Sequence, residues 1–303
     1  MPRPGSLPGR QHLRWLRSRV PHERLFAPRV ALALVAESGQ IVVDADGDLP
    51  WMDLELDASL SAAAGELVAR LGEQGMGLEP WTVATGPDWW EDDAELGPVQ
   101  PLWVVLAGGL ANRAASSPTR PRSQVLLLEQ GVDGRAGVRP AVADADQAVA
   151  GGDYVRAVRA HVAHERIFYP WSGLAMRDEE GRLFLVRLRS GRQWHCPGGG
   201  MEIGETAAAT AARELLEETG LVAEPGQLIG CFSRLQRTFP NGDQIQAVAI
   251  LQSGRLTGGA LRPDSTDEID QAGWFEAGSL PPLVPPWSER VRLVLGGVGP
   301  RFD

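Results

Sequence analysis

GGMEIGETAAATAARELLEETGL, residues 199–221, decides how the chain reads. Thr206 precedes an alanine-rich run, where its hydroxyl can cap a helix, and Gly220 stands where a helix end turns left-handed. The spacing therefore predicts a helix over 206–219. Glu214, Glu217 and Glu218 fall at i, i+3 and i+4, so three carboxylates share one face. Like charges at that spacing cost roughly a few tenths of a kcal/mol. They also crowd the negative end of the helix dipole, where anions are disfavoured. A hard divalent cation resolves both problems, because Mg²⁺ prefers carboxylate oxygens together with phosphates and water. The plain alternative is a solvated acidic face. Just upstream, Gly198 and Gly199 supply either a loop whose backbone can approach phosphate or metal closely, or a simple tight turn.

Outward from this stretch, the chain repeats. HERLFAP at 22–28 recurs as HERIFYP at 164–170, an offset of 142, and Arg14, Arg17 and Val20 recur as Arg156, Arg159 and Val162. SAAAGELVARLGEQGMGLEP at 61–80 lies over TAAATAARELLEETGLVAEP at 206–225, offset 145, and QVLLLEQG at 124–131 over QAGWFEAG at 271–278. Two copies of one unit are expected, 1–150 and 151–303, meeting near Gly151-Gly152 after an Ala/Asp-rich stretch, with residues 1–11 a loose tail. Each copy reads as a short helix (13–20; 155–162), strands at 29–36 and 40–43 (171–177 and 182–188), and a long helix (59–73; 206–219). Strands follow at 81–86, 102–106 and 124–128 (227–233, 246–252 and 272–275). With a closing helix at 286–295, the pattern is α/β, a mixed sheet between helices. His22 and His164 recur in both copies and are read as structural.

Composition narrows the chemistry. The 303 residues are 43% hydrophobic and 22% charged, which is globular. All 29 basic residues are arginine, which excludes a Walker A loop, a Schiff-base lysine and a kinase-type ion pair. A net charge of −10 disfavours a nucleic-acid partner. Cys196 and Cys231 form neither a disulfide framework nor a zinc site, which fits a cytoplasmic protein. No apolar run reaches membrane-span length. The segment VALALVA at 30–36, preceded by arginines, mimics a signal peptide, but the repeat makes it a first strand.

Gly199-x5-Glu205-x7-Arg213-Glu214-Leu215-Leu216-Glu217-Glu218-Thr219-Gly220 resembles the box of the Nudix hydrolase superfamily at every fixed position. Trp194–Gly199 resembles its lead-in, and Asp267–Phe275 its late acidic loop and aromatic strand. The resemblance covers the second copy nearly end to end. It implies two Nudix-like α/β/α sandwiches, the second with a catalytic loop-helix. It further implies Mg²⁺, with Mn²⁺ able to substitute, held by Glu214, Glu217, Glu218 and the Gly198 carbonyl. Arg213 would steady a metal-binding glutamate and Glu205 would tie the loop to the helix; a plain surface salt bridge is the alternative. The reaction implied is water attack on a nucleoside diphosphate linked to another group, a small-molecule substrate. Glu217 or Glu218 on the helix, or Asp267 or Glu268 on the loop, would take the proton. Gly199, Phe239 and Asp243 are substrate-binding candidates, because Phe239–Asp243 resembles a loop of ADP-ribose pyrophosphatase-like members; the same residues also read as a β-turn. Trp194, Phe239 and Trp287 could stack on a base or serve the core, and His195 could make a contact or be an ordinary loop residue. A nucleotide or ADP-ribose sensor with little turnover is the competing function.

At offset 145 the first copy loses this chemistry: Glu205 becomes Leu60, Arg213 Val68, Glu214 Ala69 and Glu217 Gly72, with Glu73 alone surviving. The glycine loop becomes Trp51-Met52-Asp53, and Arg120-Pro121 faces Asp267-Glu268, while Leu71, Val105, Leu106, Leu127 and Leu128 stay apolar. The expectation is a scaffold without metal, packed on the second copy as an intrachain pseudo-dimer. DWWEDDAE at 88–95 reads as a solvated loop or a new acidic site.

Overall fold

The computed structural model describes residues 10–20, 24–36, 38–44, 48–73, 77–86, 91–93, 95–109, 119–120, 154–262, 268–285, 287–297 and 300–303. Residues 1–9 of the expected tail, His22, Asp88–Trp90, Ala94, Pro121, the strand at 124–128, Gly151-Gly152 and Asp267 lie outside them. The first half runs α1 (Gln11–Arg19), β1 (Leu25–Val35), β2 (Ile41–Val42), β3 (Trp51–Asp53), α2 (Leu60–Arg70), β4 (Glu79–Ala84), β5 (Glu91–Asp93), β6 (Gly97–Gly109) and β7 (Thr119–Arg120). The second half runs α3 (Tyr154–Val162), β8 (Ile167–Met176), β9 (Leu183–Leu188), β10 (Trp194–His195), β11 (Gly198–Gly200) and α4 (Ala207–Thr219). It continues through β12 (Leu221–Phe232), β13 (Gln236–Thr238), β14 (Gln244–Gly259), β15 (Ile269–Phe275), α5 (Trp287–Gly296) and β16 (Arg301–Phe302).

Both halves are mixed α/β, and four strands of each pair alike. In the first, β1 pairs parallel with β6 and antiparallel with β3, and β6 pairs antiparallel with β4. In the second, β8 pairs parallel with β14 and antiparallel with β11, and β14 antiparallel with β12. The second half adds a three-stranded sheet, β10-β9-β15, beside its six-stranded one. The strands β1 and β8 start at Leu25 and Ile167, earlier than the sequence pattern predicts. Pro28 and Pro170 make these runs look broken, since proline cannot donate to a ladder. Their carbonyls are used instead, accepting from the amides of Leu54 and Met201 at 2.8 and 2.9 Å. Strand β1 is buried along nearly its whole length, as its apolar run requires. Arg17 and Arg159 tie α1 and α3 to the parallel strands, donating to Pro98 O and Gln244 O.

The caps correct the helix register. Ser59 accepts from Ala62 N–H at 3.1 Å and Thr206 from Ala209 N–H at 3.0 Å, so the helices correspond at an offset of 147, not 145. Arg213 then faces Glu66, Glu214 faces Leu67, Glu217 faces Arg70 and Glu218 faces Leu71; Glu73 is no counterpart of a box glutamate and lies beyond α2. Strand pairing places Trp51-Met52-Asp53 opposite β1 as Gly198-Gly199-Gly200 stand opposite β8, again at an offset of 147.

Where the second half keeps glycines, the first is closed by ion pairs. Arg29, fully buried, bonds Asp53 at 2.8 Å and Glu91 at 2.7 Å and lies against the rings of Trp51 and Trp103. Arg10 bonds Asp53 at 2.7 Å and Asp93 at 2.6 Å. Glu91 and Asp93 are thus neither a solvated loop nor a cation site, because arginines already neutralise them. One continuous apolar cluster contains Leu13, Phe26, Leu67 and Leu106 of the first half and Val158, Phe168, Met201 and Val248 of the second. No described helix is long and apolar enough to cross a membrane.

Candidate active site

The helix α4 forms as its sequence demands, capped by Thr206 and ended by Gly220 at φ 73°. It presents three carboxylates toward β11. Glu218 is 5% exposed, and its Oε2 accepts from the Gly198 amide at 3.1 Å. Gly198 has φ 150°, and a Cβ there would lie 2.5 Å from Ser172 O, so only glycine fits. The Glu214 carboxylate lies against Gly199, where a Cβ would come within 2.2 Å of it. Glu217, at 54% side-chain exposure, stands at the mouth.

Arg213 organises the set. Its Nε and Nη2 donate to both oxygens of Glu205 at 2.7 and 3.0 Å, Nη1 donates to Glu214 at 2.9 Å and Glu217 at 3.1 Å, and Nη2 reaches Gly200 O at 3.0 Å. Glu205 also accepts from Thr210 Oγ1 and the Glu202 amide. This is an interlocked loop-to-helix tie rather than a plain surface salt bridge. Burial pushes the Glu214 carboxyl up to about 7, against the pull of Arg213. Burial, followed by the charge of Glu214, pushes Glu218 well above the usual carboxylate range. Glu268 adds to the repulsion on both, so its charge faces theirs across the cleft.

These residues fit a hard divalent cation. The donors are all oxygen, and like charges crowd a buried place, which a cation would relieve. Among the described residues no three His, Cys, Asp or Glu side chains form a ready cage. Arg213 competes for the same oxygens, drawing Glu214 and Glu217 to itself.

The carboxylates open on a cleft of about 820 Å³ that also meets Gly199, Phe239 and Asp243, so the expected site residues come together. Phe239–Asp243 is indeed a turn, with the Phe239 amide donating to Asp243 O at 2.8 Å, and it lines the cleft as well. Asp243 is already engaged by His164 at 2.7 Å, and Arg237 lies over the Phe239 ring at 4.7 Å. Trp194 and Trp287 belong to the core, against Phe275 and Trp171. His195 is buried beside Trp287; burial lowers it to about 4, and its Nδ1 bonds Cys196 O. Sequence reasoning misses Tyr169 and Arg159 as cleft residues. One signal is available: HERIFYP carries Tyr169 where HERLFAP carries Ala27.

Comparison with known proteins bears on the same half. The NUDIX domain family matches residues 171–294. The chain is 32% identical over 109 residues to an ADP-ribose pyrophosphatase of Methanocaldococcus jannaschii, covering 35% of this chain and 61% of that protein. It is 33% identical over 113 residues to a putative 8-oxo-dGTP diphosphatase of Bacillus subtilis, covering 37% of this chain and 70% of that one. Among solved structures, an ADP-ribose pyrophosphatase of Streptococcus suis aligns with a TM-score of 0.36 and 24% identity, over 45% of this chain and 98% of that one. The matched segment contains the loop, the helix and the cleft residues Glu214, Glu217, Glu218 and Glu268, and the chain belongs to the NUDIX family.

Proposed function

We propose that the chain is a Mg²⁺-dependent pyrophosphohydrolase acting on a nucleoside diphosphate linked to another group, of the ADP-ribose kind. The observation that carries this is the convergence of Glu214, Glu217, Glu218 and Glu268 on one cleft, Glu218 buried and Glu214 half-buried, both with raised pKa. Glu214, Glu217, Glu218 and the Gly198 carbonyl would hold the metal. When bound, it would neutralise the diphosphate and acidify the attacking water. Arg213 and Glu205 orient the glutamates through the bonds described above. Glu217 or Glu268, at the cleft mouth, takes the proton of the attacking water. Phe239 and Tyr169, the latter against Gly200, line the same cleft and offer faces for a base or sugar.

Residues 1–150 are read as a second copy of the same unit, without the box, packed on residues 151–303 as an intrachain pseudo-dimer. The shared strand order, the cap offset and the ion pairs at Arg29-Asp53 support this. Two buried free thiols, Cys196 and Cys231, agree with a cytoplasmic setting.

The test is a panel of ADP-ribose, dinucleotides, sugar nucleotides and nucleoside triphosphates with Mg²⁺, Mn²⁺ or EDTA. Phosphate-containing products should appear only with metal. Glu268→Gln on the best substrate separates the two proton acceptors, because Glu268 is not among the metal holders: a rate near the parent's leaves Glu217, and a large loss of kcat assigns Glu268. Tight binding of ADP-ribose without products would instead make the chain a sensor.

A further inference from the structure

Gln100 is fully buried in β6, in the half without the box, yet it bonds the loop of the half that has it. Its Oε1 accepts from the Gly204 amide at 2.6 Å and its Nε2 donates to Glu205 O at 3.0 Å. Thr85 Oγ1 accepts the remaining Nε2 hydrogen at 3.0 Å. Both Nε2 hydrogens are therefore used and Oε1 is engaged, and the carboxamide's orientation is set by having an N–H on one side and a carbonyl on the other. Gln246, in β14, does the same in reverse. Its Oε1 accepts from the Asp57 amide, and its Nε2 donates to Ala58 O at 2.7 Å and Ser233 O at 3.0 Å. Asp57-Ala58 and Gly204-Glu205 are the two residues ahead of the caps Ser59 and Thr206. Asp57 and Gly204 both have positive φ, 70° and 93°. The two contacts are thus mutual equivalents, the signature of an isologous interface.

We infer that Gln100 is a positioning residue for the hydrolytic site, supplied by the half that lacks the box. The route is short. Gln100 holds the Gly204-Glu205 backbone; Glu205 holds Arg213 through two bonds; Arg213 holds Glu214 and Glu217. Gly86 of the same half presses on the cap Thr206, where a Cβ would lie 2.7 Å from Thr206 Cγ2. The start of the box helix is accordingly seated from outside its own half. The inference rests on the hydrolase reading only for its activity readout.

Gln246 supplies a matched control of equal burial and equal bonding that touches the other loop. Gln100→Leu and Gln246→Leu in the full chain should lower the melting temperature alike. With ADP-ribose as probe, Gln100→Leu should cut kcat about tenfold with KM little changed, since small misplacements near the reacting groups are costly. Gln246→Leu should stay within about twofold of the parent. Hydrogen exchange, read without substrate, should accelerate over 202–206 in Gln100→Leu and over 55–59 in Gln246→Leu. Equal kcat in the two variants, or unaltered exchange at 202–206, overturns the assignment. If Leu prevents folding at either position, Gln100→Glu and Gln246→Glu carry the same comparison, each keeping the acceptor and losing the donor. Failure of the parent to hydrolyse the probe counts against the substrate reading, while the exchange data still decide the positioning role.

Discussion

A methyl group on Gly199 would occupy the space of the Glu214 carboxylate. Gly199 does not need a left-handed backbone, so alanine there leaves the backbone conformation unstrained and displaces the Glu214 carboxylate. Gly199→Ala should therefore lower kcat about 10- to 100-fold with a melting temperature close to the parent's, measured by steady-state hydrolysis and thermal unfolding. At this scale the sequence is most legible where spacing alone constrains geometry. Residues at i, i+3 and i+4 on a helix must share a face, so the order of letters is enough to group Glu214, Glu217 and Glu218. Gln100 cannot be found that way, because a buried glutamine gains meaning only from the backbone groups opposite it.

The two long helices show what function asks of an element. In α2, Glu66 and Arg70 form an i, i+4 pair with the acid nearer the N-terminus. That order suits the helix dipole. In α4 the corresponding Arg213 and Glu217 stand in the opposite order. The helix that keeps the box thus accepts the poorer arrangement. Glu217→Gln should cost at most about 0.5 kcal/mol of stability, while hydrolysis falls by at least about 100-fold; chemical denaturation and rate measurements together check this. Strand β5 makes a second case. Burial alone would raise the Asp93 carboxyl, but bonds from Arg10 and from the Glu95 and Leu96 amides hold it at about 2. A depressed carboxyl stabilises the fold above its ordinary value near ~4 and loses that contribution as pH falls toward about 2. Asp93→Asn should cost about 2 kcal/mol at neutral pH and flatten the acid limb between about pH 4 and 2, as read from denaturation curves across that range. Element boundaries are less legible than elements. Prolines hide the starts of β1 and β8. The offset between the helices reads as 145 rather than 147 because alanine-rich runs slide past one another without penalty, whereas caps do not.

For the molecule as a whole, the apolar cluster shared by Leu13, Leu67, Phe168 and Val248 means that each half buries part of its apolar surface against the other, beside the clusters each keeps to itself. A fragment of residues 151–303 should expose that surface and self-associate or precipitate. Size-exclusion chromatography with an activity assay across the peak tests this; a monomeric, fully active fragment would contradict it. The fold is readable because similar stretches recur along the chain at near-constant offsets, so each pattern checks the other. The interface is not readable, since its contacts are backbone groups addressed by two glutamines far apart in sequence. Those glutamines have a genetic consequence. In a pair of identical subunits a single codon writes both contacts of a two-fold axis, and every substitution is felt twice. Here Gln100 and Gln246 have separate codons, so a lesion in one leaves the other intact. A change at Gln100 is then read only through the Gly204-Glu205 loop, and one at Gln246 only through Asp57-Ala58.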